Sequence, residues 1–338
     1  MTNKQSHKNG IISDDEINWL LERAKGNFGI ITTAATNVSK DGKAWEGEFG
    51  VFDDMHIPKL IELNCKIHRT KSLIFAQLFH GGMRSPQNLT KVIPQSASRL
   101  KCKESKTGYC RRLNQKEIKN IIDDFSSAAI RCYKSGFDGI ELHAAHGYLI
   151  SQFLGNKSNL RKDKWGGNLK NRAKFLIEII NKIKKNVPES FLIGVRLSPE
   201  IESIGINILD TIKLIKIIKN LNIDFIHLSC WNVFNKPITI KDNRTITEYI
   251  LDKQSDLPTI ISTGGVWNSI HAENVINQGA DIVGVGRVAI AHPFWPKKIL
   301  DIKYNPKHPP YDESELLKAK LGKNFINYMK KWDGFIKN

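Results

Sequence analysis

Gly136-Phe137-Asp138-Gly139-Ile140-Glu141-Leu142-His143-Ala144-Ala145-His146-Gly147-Tyr148-Leu149 reads as a short strand ending at His143, followed within one turn by a second imidazole and a phenol. Similar apolar runs recur at residues 28–34, 72–77, 191–197, 225–229, 259–262 and 281–285. Helical patterns lie between them at 57–67, from 114 to about 134, and at 171–185, 208–221 and 269–278. The first helix opens on Ser13-Asp14-Asp15-Glu16 and a later one on Asn114 to Glu117; both spacings predict a capping box. Strand and helix alternating in this way predict βα units on a parallel sheet. A length of 338 residues suits one large α/β barrel, with a C-terminal tail from about 294 that is helical over 313–329. The fold class is therefore α/β, a TIM barrel in one domain spanning 1–338, although only seven of eight strands are readable.

The net charge of +17 and pI near 9.6 invite a nucleic-acid reading. The lysines are scattered, however, and Lys213, Lys216 and Lys219 share one face of an amphipathic helix opposite apolar positions. A basic surface without a nucleic-acid or membrane partner is the better reading. Five cysteines, odd in number and widely spaced, predict reduced thiols and a cytoplasmic protein. The polar start at 1–8 is no signal peptide, and no apolar stretch reaches the ~18 residues of a membrane span.

In a parallel barrel the carboxyl ends of the strands open on one face, where chemistry is done. His143 and His146 there can grip a carbonyl oxygen and stabilise charge on it, and Tyr148 can supply a proton. Paired histidines also suit zinc, but no third ligand sits close in sequence, and no metal is assigned. Gly264-Gly265 follows one strand and Gly286-Arg287 ends the next, a backbone cradle plus guanidinium suited to an anion. Arg196 lies inside an apolar strand and needs a negative partner, either a structural carboxylate or a cofactor that becomes anionic. Gln77 closes a strand with an amide that donates and accepts at once.

The segment His143-Ala144-Ala145-His146-Gly147-Tyr148-Leu149 through Gln152-Phe153-Leu154, with Ser158 to Arg172, resembles the old yellow enzyme family of NAD(P)H–flavin oxidoreductases. Gln77-Leu78-Phe79-His80-Gly81-Gly82, Gly194-Val195-Arg196 and Gly286-Arg287 resemble it too, in order, over residues 1 to about 293. The resemblance implies FMN across the barrel mouth, reduced by NADH or NADPH, with its phosphate on Gly264, Gly265, Gly286 and Arg287. It implies Gln77 at the pyrimidine edge, Arg196 at the N1/O2 side, Ala35 near the ring and Thr2 at the O4/N5 edge. His143 and His146 would bind an unsaturated carbonyl substrate, and Tyr148 would protonate its α-carbon.

Three departures from the family stand out. Trp165 replaces a usual tyrosine, and the cysteines of the larger iron–sulfur members are absent. The first barrel strand and the N-terminal hairpin before it have no counterpart, Thr2 aligning with that strand's last residues. The expectation is an upstream start, roughly two dozen residues earlier. An FMN enzyme oxidising an amine or other donor, an inactive flavin-binding remnant and a flavin-free phosphate-sugar barrel stay open as alternatives. The loops at 81–113 and after Trp231 are expected to shape the pocket, with His80 and Trp231 either lining it or packed in the core. The subunit count is open, a homo-oligomer included.

Overall fold

The structure is a computed structural model and describes residues 2–337. Seven parallel strands run Ile30–Asn37 (β1), Leu73–Phe79 (β2), Gly139–Ala144 (β3), Leu192–Leu197 (β4), Phe225–Ser229 (β5), Thr259–Thr263 (β6) and Ile282–Gly284 (β7). Each pairs with the next in chain order, the expected outcome when every connection carries a helix back across one face. Among the described residues β1 and β7 are not paired with each other. The helices include Asp14–Lys25 (α1), Ile57–His68 (α2), Gln115–Lys134 (α3), Leu169–Lys184 (α4), Ile208–Ile218 (α5), Ile246–Asp252 (α6), Ser269–Asn277 (α7), Glu313–Lys318 (α8) and Lys323–Met329 (α9). Among the described residues, no helix is long and apolar enough to cross a membrane.

Strand periodicity sorts the interior of the curled sheet into layers. Phe75, Phe225 and Ile261 form an apolar floor with Ile30, Leu192 and Ile282 against them, and the Phe75 and Phe225 rings stack at 5.2 Å. Gly194 is needed here, because a Cβ on it would stand 2.1 Å from the Phe225 ring. Two residues further along the same strand faces come Gln77, Arg196, His227 and Thr263, joined by Glu141, so the next layer is polar.

Several elements differ from the sequence reading. β1 runs to Asn37, because Thr36 and Asn37 continue the ladder opposite Leu78 and Phe79. The Ser13 box is only half formed. Ser13 caps the Glu16 amide, but the Glu16 carboxylate turns away to accept from Asn3 and Ser6, both at 2.6 Å. The box at Asn114 and Glu117 is complete. Residues 313–329 hold two helices rather than one, interrupted where Lys320 takes a left-handed φ of 64°. Helix α6, opened by a Thr245–Glu248 capping box, is absent from the sequence reading.

Arg23 of α1 is buried without a carboxylate partner. It donates instead to the carbonyls of Trp19 (2.9 Å), Ala289 (3.0 Å), Ile290 (2.6 Å) and Ala319 (2.7 Å). Ala289 and Ile290 close the short helix Arg287–Ala291, and Ala319 caps α8. These carbonyls sit at negative helix ends, which suits a cation. Trp19 also meets Phe325 of α9 edge to face at 5.5 Å, fastening the tail to α1.

Candidate active site

The polar rings after β3 converge at the carboxyl end of the sheet. His143 is buried, and its Nδ1 accepts from the Ala145 amide at 3.4 Å, which leaves the proton of the neutral ring on Nε2. His146 takes a left-handed φ of 58°, and its amide donates to Ser198 Oγ at 3.1 Å. The two imidazoles stand 4.9 Å apart and nearly perpendicular. Tyr148 lies 5.0 Å from the His143 ring, edge-on to Phe79, with the Arg84 guanidinium 4.6 Å over its face.

Ser229, at the end of β5, links this group to Arg196. Arg196 Nη2 donates to Ser229 Oγ at 3.0 Å, so the hydroxyl proton is free for His146 Nε2 at 2.8 Å. With Ser229 donating in this way, the neutral His146 ring carries its own proton on Nδ1. Each imidazole keeps one N–H uncommitted among the described residues.

Both rings are neutral. Burial, reinforced by His146 and Arg196, holds His143 well below the usual imidazole range; burial and then Arg196 push His146 down to about 3. Depressed histidines are protonated more readily in the unfolded chain. The stability they contribute is full above about pH 6.5 and lost as pH falls toward 3. We predict that substrate-driven reoxidation of the reduced protein shows no inflection near pH 6.5 in stopped flow. An inflection there would mean an imidazolium at the site.

Arg196 and Gln77 share the polar layer with a carboxylate. Gln77 Nε2 donates to Glu141 Oε1 at 2.5 Å, and Arg196 Nη1 stands 3.9 Å from the same oxygen. The structural-carboxylate reading of Arg196 therefore holds, yet Arg196 Nε remains buried with no partner. Ala35 is buried on β1, opposite Gln77 in the register. The strand register places His143 opposite Arg196, Ser229 opposite Thr263 and Thr263 opposite Gly284, so these groups form one continuous rim.

Along that rim Gly264 (φ 146°) and Gly265 (φ 73°) turn out of β6. A Cβ on Gly264 would lie 2.2 Å from the Cys230 carbonyl, so glycine is required. Gly286 caps the short helix that begins at Arg287. Arg287 is exposed, reaching the Trp231 carbonyl at 3.4 Å and lying 5.5 Å from its ring. Trp231 is 80% exposed at this edge, whereas His80 is a buried loop residue accepting from the Gly82 amide. Thr2 is partly buried, and no hydrogen bond joins it to the rim among the described residues. Sequence reasoning missed Glu141, His227, Ser229 and Thr263. Only Glu141, two residues before His143 on the same strand face, and Thr263, next to Gly264, carried a local signal; His227 and Ser229 lie on a strand with no recognised site residue.

Residues 1–305 match the model of the NADH:flavin oxidoreductase / NADH oxidase family. The chain belongs to this family. It is 33% identical over 307 residues to a probable NADH-dependent flavin oxidoreductase of Bacillus subtilis, covering 88% of this chain and 82% of that protein. It is 32% identical to the NADH:acrylate oxidoreductase of Vibrio harveyi, over 89% of this chain but only 31% of that longer protein. The fold matches the old yellow enzyme homologue of Zymomonas mobilis with a TM-score of 0.82 at 24% identity, covering 97% and 93% of the two chains. The protein is thus an oxidoreductase that binds FMN and uses NADH or NADPH. The residues present fit FMN. The unpartnered Arg196 Nε suits an electron-rich ring edge, and the glycine cradle with Arg287 suits a phosphate.

Proposed function

We propose that this flavoprotein reduces the activated C=C bond of α,β-unsaturated carbonyl compounds. The observation that carries the reading is the convergence of two uncommitted imidazole N–H groups and a phenol on one point of the rim, beside Arg196. FMN, when bound, would supply the hydride chemistry between NAD(P)H and the β-carbon of the alkene, and the residues of this chain would position both. Gln77, with Ala35 beside it, and Thr2 and Arg196 would hold the isoalloxazine, and Gly264, Gly265, Gly286 and Arg287 would hold the phosphate.

His143 Nε2–H and His146 Nδ1–H donate to the substrate carbonyl. Neutral donors strengthen as the oxygen gains charge, which favours the transition state over the ground state. Burial raises the Tyr148 phenol above its ordinary range, against the opposing pull of Arg84, so Tyr148 keeps its proton at neutral pH and can deliver it to the α-carbon. The relatives named NADH:acrylate oxidoreductase and putative 12-oxophytodienoate reductase 3 bear the names of a conjugated acid and a conjugated ketone, which supports the substrate class.

The test is an absorbance titration of the holoprotein. A flavin band bleached by NADPH or NADH and restored anaerobically by 2-cyclohexenone is the expected result. A band that bleaches but is restored only by oxygen, with a panel of enones and enoates inert, would overturn the reading.

A further inference from the structure

We infer that Glu141 is a positioning residue for the flavin: one buried carboxylate orients Gln77, offsets the charge of Arg196 and braces the strand leading into the Gly264-Gly265 cradle. The inference rests on the proposed placement of Gln77 and Arg196 along the pyrimidine half of FMN. Glu141 is fully buried, midway along β3, and both of its oxygens are engaged. Oε1 accepts from Gln77 at 2.5 Å and has Arg196 Nη1 at 3.9 Å. Oε2 meets His227 Nδ1 at 2.6 Å, and His227 Nε2 meets Thr263 Oγ1 at 2.6 Å. A carboxylate only accepts, so His227 donates from Nδ1 and its Nε2 accepts from the Thr263 hydroxyl. Thr263 is the residue before Gly264. A single side chain therefore reaches both the ring-holding and the phosphate-holding parts of the rim.

The charge of Glu141 is retained despite burial. Burial pushes the carboxyl up, but His227, Arg196 and Gln77 together outweigh it and hold it down to about 2. Burial and the nearby Arg196 in turn keep His227 below the usual range, against the pull of Glu141. Arg196 supplies the balancing cation and His227 stays neutral. An amide in place of Glu141 could keep both partners only by reversing the bond to His227, whose ring would then carry its proton on Nε2. The carboxylate adds something an amide would not: it brings the net charge of the Glu141–Arg196 pair close to zero. An uncompensated Arg196 would favour reduced, electron-rich FMN more strongly.

Glu141→Gln separates charge from shape. Its carbonyl can accept from Gln77, and its N–H can donate to His227 Nδ1 once that ring moves its proton to Nε2, facing Thr263. The affinity for oxidised FMN is expected to stay within about threefold, while the preference for reduced over oxidised FMN rises roughly tenfold. Dye-equilibrated reduction would read this as a more positive midpoint potential. Glu141→Leu removes the orientation as well, and FMN affinity falls at least about tenfold in fluorescence titration. Arg196→Met is the control. If that change alters neither FMN affinity nor midpoint, the placement of Arg196 is wrong. If it alters them while Glu141→Gln leaves the midpoint unmoved, the placement stands and the role given to Glu141 is overturned.

Discussion

Tyr148→Phe leaves reduction by NAD(P)H near the wild-type rate, while reoxidation by 2-cyclohexenone slows about a hundredfold or more. The half-reactions separate because only the second needs a proton on carbon. The substitution removes one oxygen and keeps the ring that packs on Phe79 at 5.0 Å and under Arg84 at 4.6 Å, so the pocket keeps its shape. Neither histidine offers the same proton. His143 is deprived of a second N–H because its Nδ1 accepts from Ala145, and His146 spends Nε2 on Ser229. The uncommitted protons of both rings point to the carbonyl grip instead. Double-mixing stopped flow reads both half-reactions on one sample. An unchanged reoxidation rate would remove Tyr148 from the proton path.

Arg196→Met is expected to weaken FMN binding at least about tenfold and to lower stability by roughly 2–4 kcal/mol. Two losses combine. In the proposed placement FMN loses a cation at its ring edge, and Glu141 loses the charge that balances it at 3.9 Å. His227 offers partial relief. Without Arg196 to repel a second positive charge, it can take up a proton and pair with Glu141 at 2.6 Å. A folded-state pKa raised in this way gives stability below about pH 6.5 that disappears as pH climbs through the new value. Urea unfolding of the variant should therefore show a smaller deficit at pH 6 than at pH 8. A yellow variant with wild-type FMN affinity would show that Arg196 does not hold the ring.

The strand and helix order was legible because each element is amphipathic or apolar at its own period, and that pattern is local. Element ends were less so. Thr36 and Asn37 look like loop residues until Leu78 and Phe79 stand opposite them. Glu16 has the right spacing for a capping box, yet tertiary partners Asn3 and Ser6 take its carboxylate. The candidate residues His143, His146, Tyr148 and Arg196 were readable from their types and their places at or near strand ends, and the structure brings them to one rim. The supporting groups were hidden for a physical reason: Glu141 acts on residues 64 and 86 positions away, Gln77 and His227, and no local spacing reports such a contact. The resemblance supplied the cofactor, which periodicity alone could not.

Arg23 joins carbonyls near both extremes of the chain to the back of the short helix that starts at Arg287. Damage far from the catalytic pocket can thus travel inward along this strap. An affinity tag that prises α1 outward, or trimming that removes α8, would slacken the grip on a nucleotide's phosphate while every ring-facing side chain stays intact.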